Sequence, residues 1–257
     1  MNLQIDFRST GRVLSLGLVL PLALLLLWEV AATNNWIDTL FYPAPTTIVD
    51  NLWGHLSEGR LLEDSQVTFK RLLLGFVLGA VPGILFGLVA GMTPLIRALL
   101  YPLASGLYVV PRIALLPLVL VAFSIGDPAR IFMVAFGVFF LTFFSALSAA
   151  EQVDRTHVDI ARSFGANYQH VVRSVIVPGS APTVFSGLRV AMGVGLIVII
   201  SVEFLASNDG LGAFIWRRYQ IFDFASMYTG IVTVTVLGVF VTVALLGAEK
   251  ALLPWRR

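Results

Sequence analysis

The chain has 257 residues, 58% hydrophobic and 12% charged, with a formal net charge of +2 and no cysteine. That charge density is about half of what an ordinary soluble domain carries. The small net charge rules against a nucleic-acid partner, and the missing thiols exclude disulfides, thiolate metal sites and cysteine nucleophiles. With a mean hydropathy of +0.89 and repeated apolar runs of about twenty residues, the chain belongs in a bilayer.

In chain order, Arg8 and Arg12 precede a first apolar span over 13–32. It has the outline of a secretory signal, but Ala31 and Ala32 make a poor cleavage site and the run is long enough to cross, so a retained anchor is expected. Residues 33–68 form the longest external connection. Within it Pro43 and Pro45 stiffen the chain, Thr47 and Asp50 have capping-box spacing, and Ile48, Val49, Leu52, Trp53 and Leu56 form one helical face. This reads either as an interfacial helix resting on lipid or as a docking surface. The second span, 72–92, carries Gly75, Gly79, Gly83, Gly87 and Gly91. Steps of four advance about 40° around a helix, giving a winding groove along which another helix packs closely.

The third span, 98–125, contains Pro102, Pro111 and Pro117. Each removes a backbone donor, so the span is expected to be broken and to lie in the interior, where protein or a water-filled cavity satisfies the freed carbonyls. The fourth, 131–150, presents Phe132, Phe136, Phe140 and Phe144 on one face, for lipid contact or core packing. The fifth, 182–202, has a shorter small-residue stripe at Gly187, Ala191 and Gly195, and the sixth covers 227–246. The expected fold is therefore all-α and polytopic, a single domain of about six transmembrane helices with a loop at 151–181.

Six crossings put both termini on one side. Arg8, Arg12, Arg97, Arg155, Arg162, Arg173, Arg189, Lys250, Arg256 and Arg257 share that side, against Arg60, Lys70, Arg71, Arg130, Arg217 and Arg218. The excess predicts cytoplasmic termini. Three charges, Glu29, Arg112 and Glu203, fall within or at the ends of spans, where mid-membrane burial costs about 2.5–3.5 kcal/mol. Arg112 follows Pro111 on the broken span and calls for a wet cavity or a carboxylate, Glu203 being the first candidate. Both are candidate pathway residues, with Arg112 a positive site for an anionic solute; snorkelling to the headgroups is the alternative. His55, His157 and His170 form no catalytic or metal-binding motif, so neither an enzyme nor a metal or cofactor is expected.

The loop at 151–181 is the most specific stretch. Val153, His157, Ile160 and Phe164 share one face of a short amphipathic helix. Gly165 suits a left-handed stop, Asn167 a new cap, and Pro178 is expected to end the second helix. Such a rigid projection fits a groove on a soluble partner.

Asp159-Ile160-Ala161, three residues, Gly165, nine residues, Val175, one residue and Val177-Pro178 together resemble the EAA motif of membrane subunits of bacterial binding-protein-dependent ABC importers. The spacing matches throughout, with Ile160 the largest departure. YPAPTTIVDNL, KRLLLGFVLGAVPGILFGLVAG, the segment from Pro111 to Pro117 and GLGAFI at 210–215 are similar to the aliphatic sulfonate, taurine and nitrate permeases of that family. Phe123-Ser124-Ile125-Gly126 departs from a common FGIG at Ser124. Permeases for pyrimidine precursors, riboflavin, bicarbonate and aromatic acids look similar too.

The resemblance implies a type I importer bundle in the bacterial inner membrane, with Phe164 on the coupling helix beside the motif residues. It further implies a second permease chain, two cytoplasmic ATP-binding subunits and a soluble external binding protein. The chain has no GxxxxGK[ST] phosphate loop, which accords with ATP hydrolysis elsewhere. A secondary transporter or channel working without an ATPase is the alternative.

Overall fold

Eleven helices run through the described residues of this computed structural model: α1 Thr10–Thr33, α2 Pro45–Ser57, α3 Arg60–Met92, α4 Pro94–Tyr108, α5 Leu116–Phe123, α6 Asp127–Glu151, α7 Arg155–Ser163, α8 Tyr168–Val171, α9 Val177–Ala206, α10 Leu211–Gln220 and α11 Phe224–Leu252. The backbone is described for residues 10–254 and side chains from residue 19; Arg8, Arg12, Arg256 and Arg257 lie outside these side chains. Helices α3, α6, α9 with its lead-in, and α11 are long and apolar enough to cross a membrane. Helices α4 and α5 form one broken crossing, bent by 88° around a 3₁₀ turn at Arg112–Leu115. Helix α1 contributes the apolar stretch Val19–Thr33.

The glycines of α3 set the architecture. Each one faces the main-chain carbonyl of the residue 56 positions later on α6: Gly75 meets Ile131, Gly79 meets Ala135, Gly83 meets Phe139, Gly87 meets Phe143 and Gly91 meets Leu147. The two helices are therefore parallel and in contact along their length, with no room for a Cβ at any of the five positions. Helix α9 runs antiparallel to α6, with Gly187 against Ser145 and Gly195 against Val138. Helix α11 is antiparallel to α9, with Gly238 against Leu196 and a 2.6 Å ion pair between Glu249 and Arg189. Leu72, Met133, Val134, Ile199 and Val202 fill the core between α3, α6 and α9.

Since α3 and α6 are parallel, the α4/α5 pair must return the chain. Tyr101 and Tyr108 pack on Phe144, and Phe123 stacks on Phe132 at 4.9 Å. The phenylalanine face of α6 thus meets the broken crossing. That crossing lies at the edge of the single chain rather than in its interior, with Leu95, Leu99, Leu103, Leu118 and Val121 exposed. The freed backbone is accommodated by the extended Pro111 and the 3₁₀ turn instead of by surrounding helices.

Two other local expectations change. Helix α3 begins at Arg60, well before the apolar run, and helix α2 begins at Pro45 with no side-chain cap from Thr47 or Asp50. Glu29 supplies the function instead, accepting hydrogen bonds from Thr46 N at 3.1 Å and Thr46 Oγ1 at 2.8 Å. This bond and the Trp28–Tyr228 contact place the end of α1 beside the start of α11. The first described residue and the last are therefore at one pole of the bundle, together with α7 and α8.

Candidate functional site

Helix α7 projects from the end of α6 and has no buried residue. Asp154 caps it, its Oδ1 accepting from Thr156 N at 2.8 Å; that bond and the Thr156 hydroxyl hold the carboxyl below the usual carboxylate range. The helix stops in a Schellman turn, with Gly165 N donating to Arg162 O at 2.9 Å and Ala166 N to Ala161 O at 3.1 Å. Gly165 has φ +81° and open space around its Cα, so backbone conformation alone requires glycine there. Asn167 Oδ1 then accepts from His170 N at 2.9 Å and starts α8.

Pro178 does not end that helix. The chain is helical from Tyr168 to Ala206, and a π-turn at Val172–Ile176 widens it just ahead of the proline. A proline ring clashes with the carbonyl four residues back in a regular α-helix, and the wider turn moves that carbonyl aside. The two halves of the sequence motif face each other across a cavity of about 670 Å³, with Ile160 and Ala161 on one wall and Val175 and Pro178 on the other. Asp159, Phe164, Gly165 and Val177 do not line it; Phe164 is 87% exposed and Ile160 is 50% exposed.

At the opposite pole, Glu203 is fully buried, and its partner is Arg71 rather than Arg112. Arg71 reaches Glu203 at 2.9 Å, Asp127 at 2.6 Å and Asp209 at 2.7 Å. Glu203 also accepts from Thr68 Oγ1 at 2.9 Å and Gly212 N at 3.0 Å. Asp64 accepts from Gly210 N at 2.6 Å. These carboxylates thus hold the positive end of α10. The glycines of GLGAFI have a steric cause, because a Cβ at Gly210 or Gly212 would collide with the Glu203 side chain. Burial raises the Asp209 carboxyl, but hydrogen bonds from Arg71 and Ser207 outweigh it and leave the group below its usual range. Sequence reasoning passed over Arg71 as a loop residue, although it extends the glycine stripe by one step of four and shares its offset to Asp127.

Arg112 sits elsewhere. It is half-buried, with its guanidinium 5.5 Å from the Tyr108 ring centroid and its Cδ 3.4 Å from where a Gly137 Cβ would lie. Gly137 is ten residues along α6 from Asp127, about 15 Å of helix rise, so Arg112 lies about midway between the two poles, where the broken crossing meets α6. Among the described residues it has no carboxylate partner, only the ring.

Residues 83–254 match the family described as binding-protein-dependent transport system inner membrane component. The Bacillus subtilis (strain 168) permease protein SsuC, named for aliphatic sulfonates transport, is 27% identical over 240 residues, 93% of this chain and 87% of its own. The taurine transport system permease protein TauC of Escherichia coli (strain K12) is 26% identical over 95% of this chain and 91% of its own. A chain of the inward-facing MetNI methionine ABC transporter superposes with a TM-score of 0.66 at 18% identity, covering 76% of this chain and 97% of that one, which shows the shared fold.

Proposed function

The chain belongs to the binding-protein-dependent transport system inner membrane components, and from that premise we propose that it forms the pathway for a small anionic solute such as a sulfonate, taurine or nitrate. It is a multi-pass inner-membrane permease subunit of an ABC importer. In our reading two such chains, identical or related, pair about the pathway. ATP is bound and hydrolysed on two separate cytoplasmic subunits, and the termini are cytoplasmic. The segments 33–68 and 204–225, which include α2, the start of α3 and α10, receive a soluble binding protein outside.

The observation that carries this reading is α7: a helix with no buried residue, held rigid by caps at both ends, presenting Ile160 and Phe164 to solvent. An exposed apolar face on a fixed projection fits a cleft in a soluble partner. Asp159, Ile160, Ala161, Phe164 and Gly165 are the proposed contact and turn, and Val175, Val177 and Pro178 pass its movement through the π-turn into α9. ATP-driven closure of the partner pair then exchanges inward and outward openings.

Arg112 is the proposed solute contact, supported by its depth and its lack of a carboxylate partner. Glu203 is assigned a holding role at the outer pole, because Arg71, the Thr68 hydroxyl and the Gly212 amide already occupy it. The test is uptake of radiolabelled taurine, an alkanesulfonate or nitrate into vesicles carrying the chain, its binding protein and its ATPase. Uptake should require ATP, and Arg112→Ala should reduce it at least tenfold. ATP-independent uptake by the chain alone would instead indicate a secondary transporter or channel.

A further inference from the structure

A second cavity, of about 590 Å³, opens on the other side of α7, where α3 ends and α4 begins. Its floor is apolar, with Ala90, Met92 and Ile176, and its rim carries Arg97, Arg155 and Arg162. Glu151, the only acid lining it, is ion-paired with Arg97. Arg155 and Arg162 are seven residues apart, two turns on one face of α7, and neither has an ion pair among the described residues. Pro94 places the positive end of the fifteen-residue α4 at the same opening. Tyr168 also lines it.

We propose that this cavity binds a phosphate-bearing anion, a lipid headgroup or free phosphate, between α7 and the end of the bundle. Two unpaired guanidiniums, each a planar fork of donors, match phosphate oxygens in a bidentate manner. The excess of positive charge at the rim leaves one negative group to be supplied from outside the chain. Apolar side chains below a basic rim suit a lipid whose acyl chains continue along the spans. Bound there, the anion ties Arg155 and Arg162 on α7 to α4 and sets the seat of the projecting helix.

The full-length chain, purified in neutral detergent, is titrated with phosphatidylglycerol, phosphatidylcholine or inorganic phosphate and followed by native mass spectrometry. The wild type should retain phosphatidylglycerol in preference to phosphatidylcholine. Arg155→Gln with Arg162→Gln should weaken retention about thirtyfold, from ~1 kcal/mol per arginine. Arg173→Gln, which loses charge outside the cavity, should leave it unchanged. Ala98→Trp, which keeps every charge but fills the cavity, should also lower retention. Wild-type binding of inorganic phosphate in place of lipid, lost in the double variant, supports the site with free phosphate as its ligand. Equal binding of either probe by wild type and double variant, or binding of neither by the wild type, overturns the proposal.

Discussion

Ser124 lies between α5 and α6 with φ 65° and ψ 169°, a region that favours glycine strongly. Strain there is on the order of 1–3 kcal/mol, partly offset by the chain entropy that a glycine would add. Ser124→Gly should therefore stabilise the chain by ~1 kcal/mol, read as a higher unfolding temperature in detergent; an unchanged or lower value would contradict the strain. Arg71 makes the opposite case. Removing it leaves Glu203 buried without a counter-ion, so Arg71→Ala should cost ~3–5 kcal/mol. Glu203→Gln, which keeps acceptors for Thr68 and Gly212 and leaves Arg71 with Asp127 and Asp209, should cost less. Comparing the denaturation of the two variants gives the order. The departure at Ser124 was visible in the sequence as a missing glycine, while the Arg71 network was not, because its members are dispersed from Asp64 to Gly212.

Among the elements, the turn after α7 was the most legible, because capping chemistry is local: Gly165 and Asn167 each act within a few residues. Pro178 misled for the opposite reason. Proline predicts a break in a regular helix, and a π-turn is a wider ring that leaves no mark in the pattern of residue types. The start of α3 was missed because Glu63, Asp64, Thr68 and Arg71 look like loop residues until α10 covers several of them. For the coupling turn, Gly165→Val should impose an unfavourable positive φ, and in the assembled complex should lower solute-stimulated transport at least tenfold while ATP hydrolysis persists. Asp159→Lys should weaken ATPase co-purification. Normal transport and an intact complex in both variants would remove the coupling role from α7.

For the whole molecule, apolar length and the glycine spacing revealed most of the bundle. The parallel pairing of α3 with α6 was beyond their reach, since a stripe of small residues marks close approach without naming its partner. Gly83→Leu would drive a side chain into Phe139 O and Thr142 and should cost at least the ~1–3 kcal/mol of ordinary overpacking. Size-exclusion chromatography should show loss of the monodisperse species, and a normal profile would argue against the close contact. One offset, 56 residues, relates Arg71 to Asp127 and all five glycines to their facing carbonyls. The two helices therefore resemble a toothed rack. A single residue inserted between Arg71 and Gly91 would turn every later tooth by about 100° out of mesh, so this stretch can exchange the side chains that face away from α6 but cannot change length.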